Sequence, residues 1–272
     1  MAYQIRQLKL GGILDQAVTL TKNHLGPLFT IVGVTLLPVT LAASFAQLAL
    51  LPALTFPFTM EQFEAFAIAQ NEHAALFNSL NVLTIVAAIL CNAAIVHGIA
   101  AAYLGKPVTT GAAVGRAFRT FFPLLWTSFL MGVAIMGGVI LCVIPGIIAA
   151  FWFVLSTQVV VVEGLSGFKA LKRSRALMTD NIGTSFVLGL VMVPIYWGVE
   201  VLIAVLFIPQ PHVRAVLAPL AHAVTMIFAS AATVVFYFST RCKHEQFDLQ
   251  LLADNIGSEF VLEADDDDRS AE

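Results

Sequence analysis

The chain has 272 residues, of which 59% are hydrophobic and 11% charged, with a mean hydropathy of +0.88 and a formal net charge of −3. That balance cannot give a water-compatible surface and leaves an integral membrane protein, with no basic excess of the kind that binds nucleic acid. The charge is segregated: residues 1–244 carry 13 Lys and Arg against 7 Asp and Glu, whereas residues 245–272 carry 1 against 10, a basic body with an acidic tail.

No short apolar segment precedes a small-residue cleavage site, so no cleaved signal peptide is expected. Leu10 to His24 is the first element. At 100° per residue Ile13, Leu14, Ala17, Val18 and Leu20 separate from Asp15, Gln16, Thr19, Lys22 and Asn23, which predicts a helix lying in the membrane interface over about 10–24. Leu25 to Leu51 is apolar and long enough for a first span, since about 20 residues cross a hydrocarbon core of about 30 Å. Pro38 should kink it.

Pro52 to Ala75 holds Glu61, Glu64 and Glu72 and no Lys or Arg, the mark of an extracytoplasmic loop, with a short surface helix expected in its middle. Leu76 to Tyr103 is a second span. The next loop brings Lys106, Arg116 and Arg119 with a second amphipathic helix over about 109–119, and a third span runs from about Phe121 to Val143. Ile144-Pro145-Gly146 predicts a tight turn into a fourth span, Ile147 to Val162.

Between the fourth and fifth spans lies the densest block of positive charge, Glu163 to Asn181, predicted as a third amphipathic helix over about 165–179. Helical projection puts Lys169, Lys172, Arg173 and Ala176 on one arc and Phe168, Ala170, Leu171, Leu177 and Met178 on the other side, with Arg175 at the edge. Ser166 is the expected N-cap, and Glu163 is expected to pair with Lys169 or Arg173 or to favour the helix N-terminus. Ile182 to Ile208 and about Val213 to Ser239 are the fifth and sixth spans, joined by a Pro-broken turn.

Thirteen Lys and Arg fall on one side of this scheme and only Arg214 on the other, which predicts that both termini are cytoplasmic. Each amphipathic segment precedes a pair of spans, so the fold expected is an all-α membrane domain over 1–244, with six transmembrane helices as three parallel repeats of interfacial helix plus antiparallel helix pair. A short helix over Phe247 to Leu252 is expected to dock back on the domain. Beyond Gly257 the acidic tail has too little apolar content to fold.

The segments GGILDQAV, IPGI, VVVVEGLSGFKALKRSRALM and VVFYFSTRCKHEQFDLQLLA resemble the membrane domain that some bacteria fuse to glycerophosphodiester phosphodiesterase, and its free-standing relatives. The resemblance extends to about Ala253. In the fused proteins hydrolysis belongs to a separate soluble barrel, for which this sequence has no room. The resemblance therefore implies a free-standing multi-pass protein of a bacterial cytoplasmic membrane with no catalytic residue.

Independently, the chain has no Gly-rich phosphate loop, no His-x-x-x-His or Cys-x-x-Cys pair and no Gly-x-Ser-x-Gly elbow. No enzyme activity, cofactor or metal is expected. The candidate sites are instead polar groups in or beside apolar runs. Lys169, Lys172, Arg173 and Arg175 form a candidate site for anionic phospholipid headgroups. Glu200 and His222, each 11 residues from Pro211, should fall at one depth and could pair as interhelical glue, a proton-coupled site or a headgroup site. Asn92, His97 and Gln158 form a third set, read first as glue. The function expected is a non-enzymatic module that engages membrane lipids or organises partner membrane proteins, with a small transporter or lipid-translocating protein as the alternative.

Overall fold

A computed structural model describes residues 6–52, 59–105, 107–208 and 210–246. They are helical with no strand among them, in the order α1 (Leu10–Thr35), α2 (Leu37–Leu50), α3 (Met60–Glu72), α4 (Ala74–Tyr103), α5 (Thr110–Leu141), α6 (Val143–Trp152), α7 (Ser156–Gln158), a π-helical turn (Val159–Glu163), α8 (Phe168–Met178), α9 (Ile182–Leu206) and α10 (Pro211–Glu245). Five stretches are long and apolar enough to cross a membrane: α4, α5, Val143–Glu163, α9 and α10. The bent pair α1–α2 makes a sixth if it is one span. The acidic tail beyond Gln246, with its expected docking helix and unfolded end, lies outside the described residues, as does Lys106.

The prolines explain where helices bend. Pro27 lacks an N–H and its ring crowds the carbonyl one turn back, and α1 leaves helical geometry at His24 (φ −120°, ψ 17°). The expected boundary between an interfacial helix and a span therefore appears as a kink inside one helix. A second break, 54° between α1 and α2, falls at Leu36, two residues before Pro38. The apolar face of the first segment is covered by protein: Ile13, Ala17 and Leu20 are fully buried. Leu8 N donates to Ser239 Oγ (2.8 Å) and Tyr103 OH to Gln16 Oε1 (2.9 Å), so the start of α1 is tied to the ends of α4 and α10.

Two expectations need correction. The segment 109–119 is not a separate surface helix: α5 runs unbroken from Thr110 to Leu141, or about 48 Å at 1.5 Å per residue, well beyond a core of about 30 Å. Pro123 is accommodated within it, and Thr127 Oγ1 donates to the Pro123 carbonyl (2.7 Å). The turn between the third and fourth spans is also earlier and tighter than Ile144-Pro145-Gly146. Cys142 alone is extended (φ −171°, ψ 145°), and Pro145 sits in the first turn of α6, where its missing N–H costs nothing. This works because Gly138 and Gly146 let two backbones touch: a Cβ on Gly138 would lie 2.8 Å from Gly146 Cα.

Burial is uneven. Ile95, Val96 and Ile99 of α4, Val159 and Val160 of the π turn, and α10 from Ile227 through Phe238 form the core at the end of the bundle that holds α8. By contrast α5 and α9 present Phe122, Phe129, Ile140, Leu141, Leu190, Trp197 and Leu202 to the surroundings. An apolar surface of that extent suits hydrocarbon and not water.

Candidate functional site

One face of α10 carries His222, Ser230, Thr233, Tyr237, Arg241 and Glu245, spaced by 8, 3, 4, 4 and 4 residues and so aligned along a single side of the helix. Arg241 pairs with Glu245 of the same helix, and each of the others meets a polar group from another part of the bundle.

Nearest the start of α10, His222 Nδ1 lies 3.4 Å from Glu200 Oε1 of α9, and Tyr196 OH lies 3.0 Å from His222 Nδ1. The His222 and Glu200 side chains are 31% and 26% exposed, so the trio sits in the α9–α10 seam facing the bundle surface. Tyr196 was not singled out from sequence, although it stands one helical turn before Glu200 and so shares its face.

Further along, Ser230 Oγ donates to Asn92 Oδ1 of α4 (3.1 Å), and Gln158 Nε2 of α7 donates to Thr233 Oγ1 (3.0 Å). The Thr233 hydroxyl in turn donates to the Ser230 carbonyl (3.0 Å), which joins α4, α7 and α10 in one chain of hydrogen bonds. Asn92 and Gln158 are thus brought together through α10. His97 is not part of this chain, and no partner among the described residues reaches its Nε2.

At the α8 end the face becomes charged. Tyr237 OH donates to Glu163 Oε1 (2.8 Å), and Arg173 Nε donates to Glu163 Oε2 (2.9 Å). A second nitrogen of Arg173 donates to Glu245, whose other oxygen accepts from Arg241 Nε (2.9 Å). Burial opposes the charge on Arg173, but its hydrogen bonds to the carboxylates of Glu163 and Glu245, and their negative charge, outweigh it and push its pKa up. Nearby, Lys243 Nζ donates to Asn181 Oδ1 (3.0 Å), and Asn181 Nδ2 lies 3.1 Å from His244 Nε2, so the turn between α8 and α9 is also held to the end of α10.

The basic helix is therefore a brace before it is a binding surface. Its buried side is Ala170, Leu171, Ser174, Leu177 and Met178. Ser174 Oγ donates to the carbonyl of Trp152 (2.8 Å), and the Arg175 guanidinium lies 4.1 Å from the centre of the same residue's ring. Of the four cations expected to face headgroups, Arg173 is turned into the carboxylate cluster and Arg175 rests on Trp152. Lys169 and Lys172 are exposed.

Phe168, expected on the apolar side, is instead 72% exposed beside the lysines, because position 168 falls only 40° from Lys172 on the helix wheel. Ser166 is not the N-cap; Gly167 is, in a conformation (φ 60°) that suits glycine. Its N–H donates to Thr127 Oγ1 (2.8 Å), and a Cβ there would meet the Trp126 ring at 3.1 Å.

Among the described residues no group of three or more His, Cys, Asp or Glu is placed to hold a metal ion. No family model, curated protein or solved structure matches the chain.

Proposed function

We propose that this chain is a six-span, non-enzymatic module of a bacterial cytoplasmic membrane, with α1–α2 as its first span and both termini cytoplasmic, which engages anionic phospholipid headgroups along the outer edge of α8. One observation carries the reading: α8 is pinned to the bundle by Arg173, Ser174 and Arg175 while Phe168, Lys169 and Lys172 stay exposed on one side of it. An apolar ring beside two ammonium groups suits the boundary between acyl chains and phosphates, where each cation contributes roughly 1 kcal/mol. The excess of Lys and Arg on the α8 side supports the orientation. The recurrence of an amphipathic segment before each pair of spans supports the threefold repeat, and the resemblance to the membrane domain noted above supports the class. Organising partner membrane proteins is compatible with the apolar surfaces of α5 and α9.

The test is native mass spectrometry of the purified full chain. Co-purifying anionic phospholipid should fall at least several-fold when Lys169 and Lys172 are both changed to Gln, with melting temperature unchanged. Equal lipid occupancy in the double variant would refute the headgroup assignment.

A second reading, a small transporter or lipid-translocating protein, is favoured by the Tyr196–His222–Glu200 trio, since ionisable groups in apolar spans are expensive to retain. Flux in proteoliposomes that Glu200→Gln abolishes would decide for it.

A further inference from the structure

The side chain of Gln158 is enclosed, with the residue only 3% exposed, yet only one end of its amide is used. Its Nε2 donates to Thr233 Oγ1, whereas no donor among the described residues reaches Oε1. Turning the amide over does not resolve this. The Thr233 hydroxyl already has carbonyl acceptors in its own helix, at Ala229 (3.1 Å) and Ser230 (3.0 Å), and the reversed amide would leave an NH₂ group orphaned instead. In either orientation one polar end is buried without a protein partner, a cost of the size that proteins normally remove with an internal water.

We propose that Gln158 Oε1 binds a buried water molecule at the junction of α4, α7 and α10. The surroundings favour a neutral occupant over a cation. Gln158, Thr233, Ser230 and Asn92 are all uncharged, and the carboxylate of Glu163, at the end of the following π turn, is already neutralised by Arg173. A bare cation would thus lack a counter-charge in a region where an unpaired charge is costly. The site also lies where the regular hydrogen-bond ladder is broken twice, between α6 and α7 and again at the π turn, the kind of break at which water or a ligand inserts. This inference is independent of the headgroup reading, because Gln158 belongs to the core and not to the exposed edge of α8.

The test is a high-resolution map of the full chain in lipid nanodiscs. Density within hydrogen-bond distance of Gln158 Oε1 and of at least one further polar atom is expected, and is expected to vanish in Gln158→Leu. Protein atoms packed against Oε1 with no such density in the unaltered chain would overturn the proposal. Thermal melting supplies a second arm: the melting temperature of the unaltered chain should be the same in sodium and choline buffers of equal ionic strength. A sodium-specific rise that Gln158→Leu abolishes would assign the site to a cation and equally overturn it.

Discussion

Arg173 and Glu163 stand ten residues apart in sequence and meet at 2.9 Å, and that ion pair fixes the basic helix α8 to the π turn before it. Arg173 serves Glu245 at the same time, so its loss takes a cation from two partly buried carboxylates at once. Arg173→Gln should therefore destabilise the purified chain by about 2–4 kcal/mol, less than a fully buried pair because the side chains are partly exposed. Lys172→Gln, on the exposed side of the same helix, should stay within about 0.5 kcal/mol. Denaturation of both variants in one detergent checks the contrast; equal effects would mean that Arg173 is not the fastening.

The α5–α6 hairpin makes a steric prediction. A Cβ on Gly146 would lie 2.8 Å from the backbone nitrogen of Val139, so Gly146→Ala must move backbone, whereas Gly132 has nothing within 4 Å of the added carbon. Gly146→Ala should cost about 1–3 kcal/mol by overpacking, and Gly132→Ala should be neutral or slightly stabilising. Melting temperatures of the two variants measured in parallel would settle it.

Thr127 offers one hydroxyl to two helices, accepting from Gly167 N–H and donating to the Pro123 carbonyl. Thr127→Val keeps the shape and leaves the buried Gly167 N–H unsatisfied, so a loss of about 1–3 kcal/mol is expected. The informative readout is local. Amide hydrogen exchange should quicken in α8 while the core of α4 stays protected, and unchanged exchange in α8 would show that this hydrogen bond does not hold it.

The native cysteines report the proposed orientation without further engineering. Cys142 is exposed at the α5–α6 turn, while Cys91 and Cys242 are buried. A membrane-impermeant maleimide added outside intact spheroplasts should label the chain, and Cys142→Ser should abolish that labelling. Reaction only after the membrane is opened would invert the topology.

The sequence carried the helical class, the positions of the long apolar runs and the spacing of Glu200 and His222, because hydropathy and helical period are local quantities. Of the carboxylate cluster it carried the Glu163–Arg173 pair only as one of three alternatives, and it did not carry Glu245. Arg173 lies on the same arc as Lys169 and Lys172, and what separates them is Glu245, 72 residues away, which no local period announces. Tyr237 was equally hidden, since within VVFYF it reads as one more apolar residue until Glu163 supplies its acceptor. Phe168 was misplaced for a simpler reason: hydrophobicity suggested the inner face, and its angular position decided otherwise. The merging of 109–119 into α5 was also invisible, because a proline at the head of an apolar run reads as a boundary whether or not the helix continues through it.

Glu245 closes the last turn of α10 and is gripped by both Arg173 and Arg241. That grip sets how far the polypeptide can be shortened from its carboxyl end. Clipping after Gln246 leaves the clasp whole, whereas clipping before Glu245 deletes its second acid and takes one carboxylate from Arg173 and Arg241 together. Among the described residues, the C-terminal limit of this clasp therefore falls at a single amino acid.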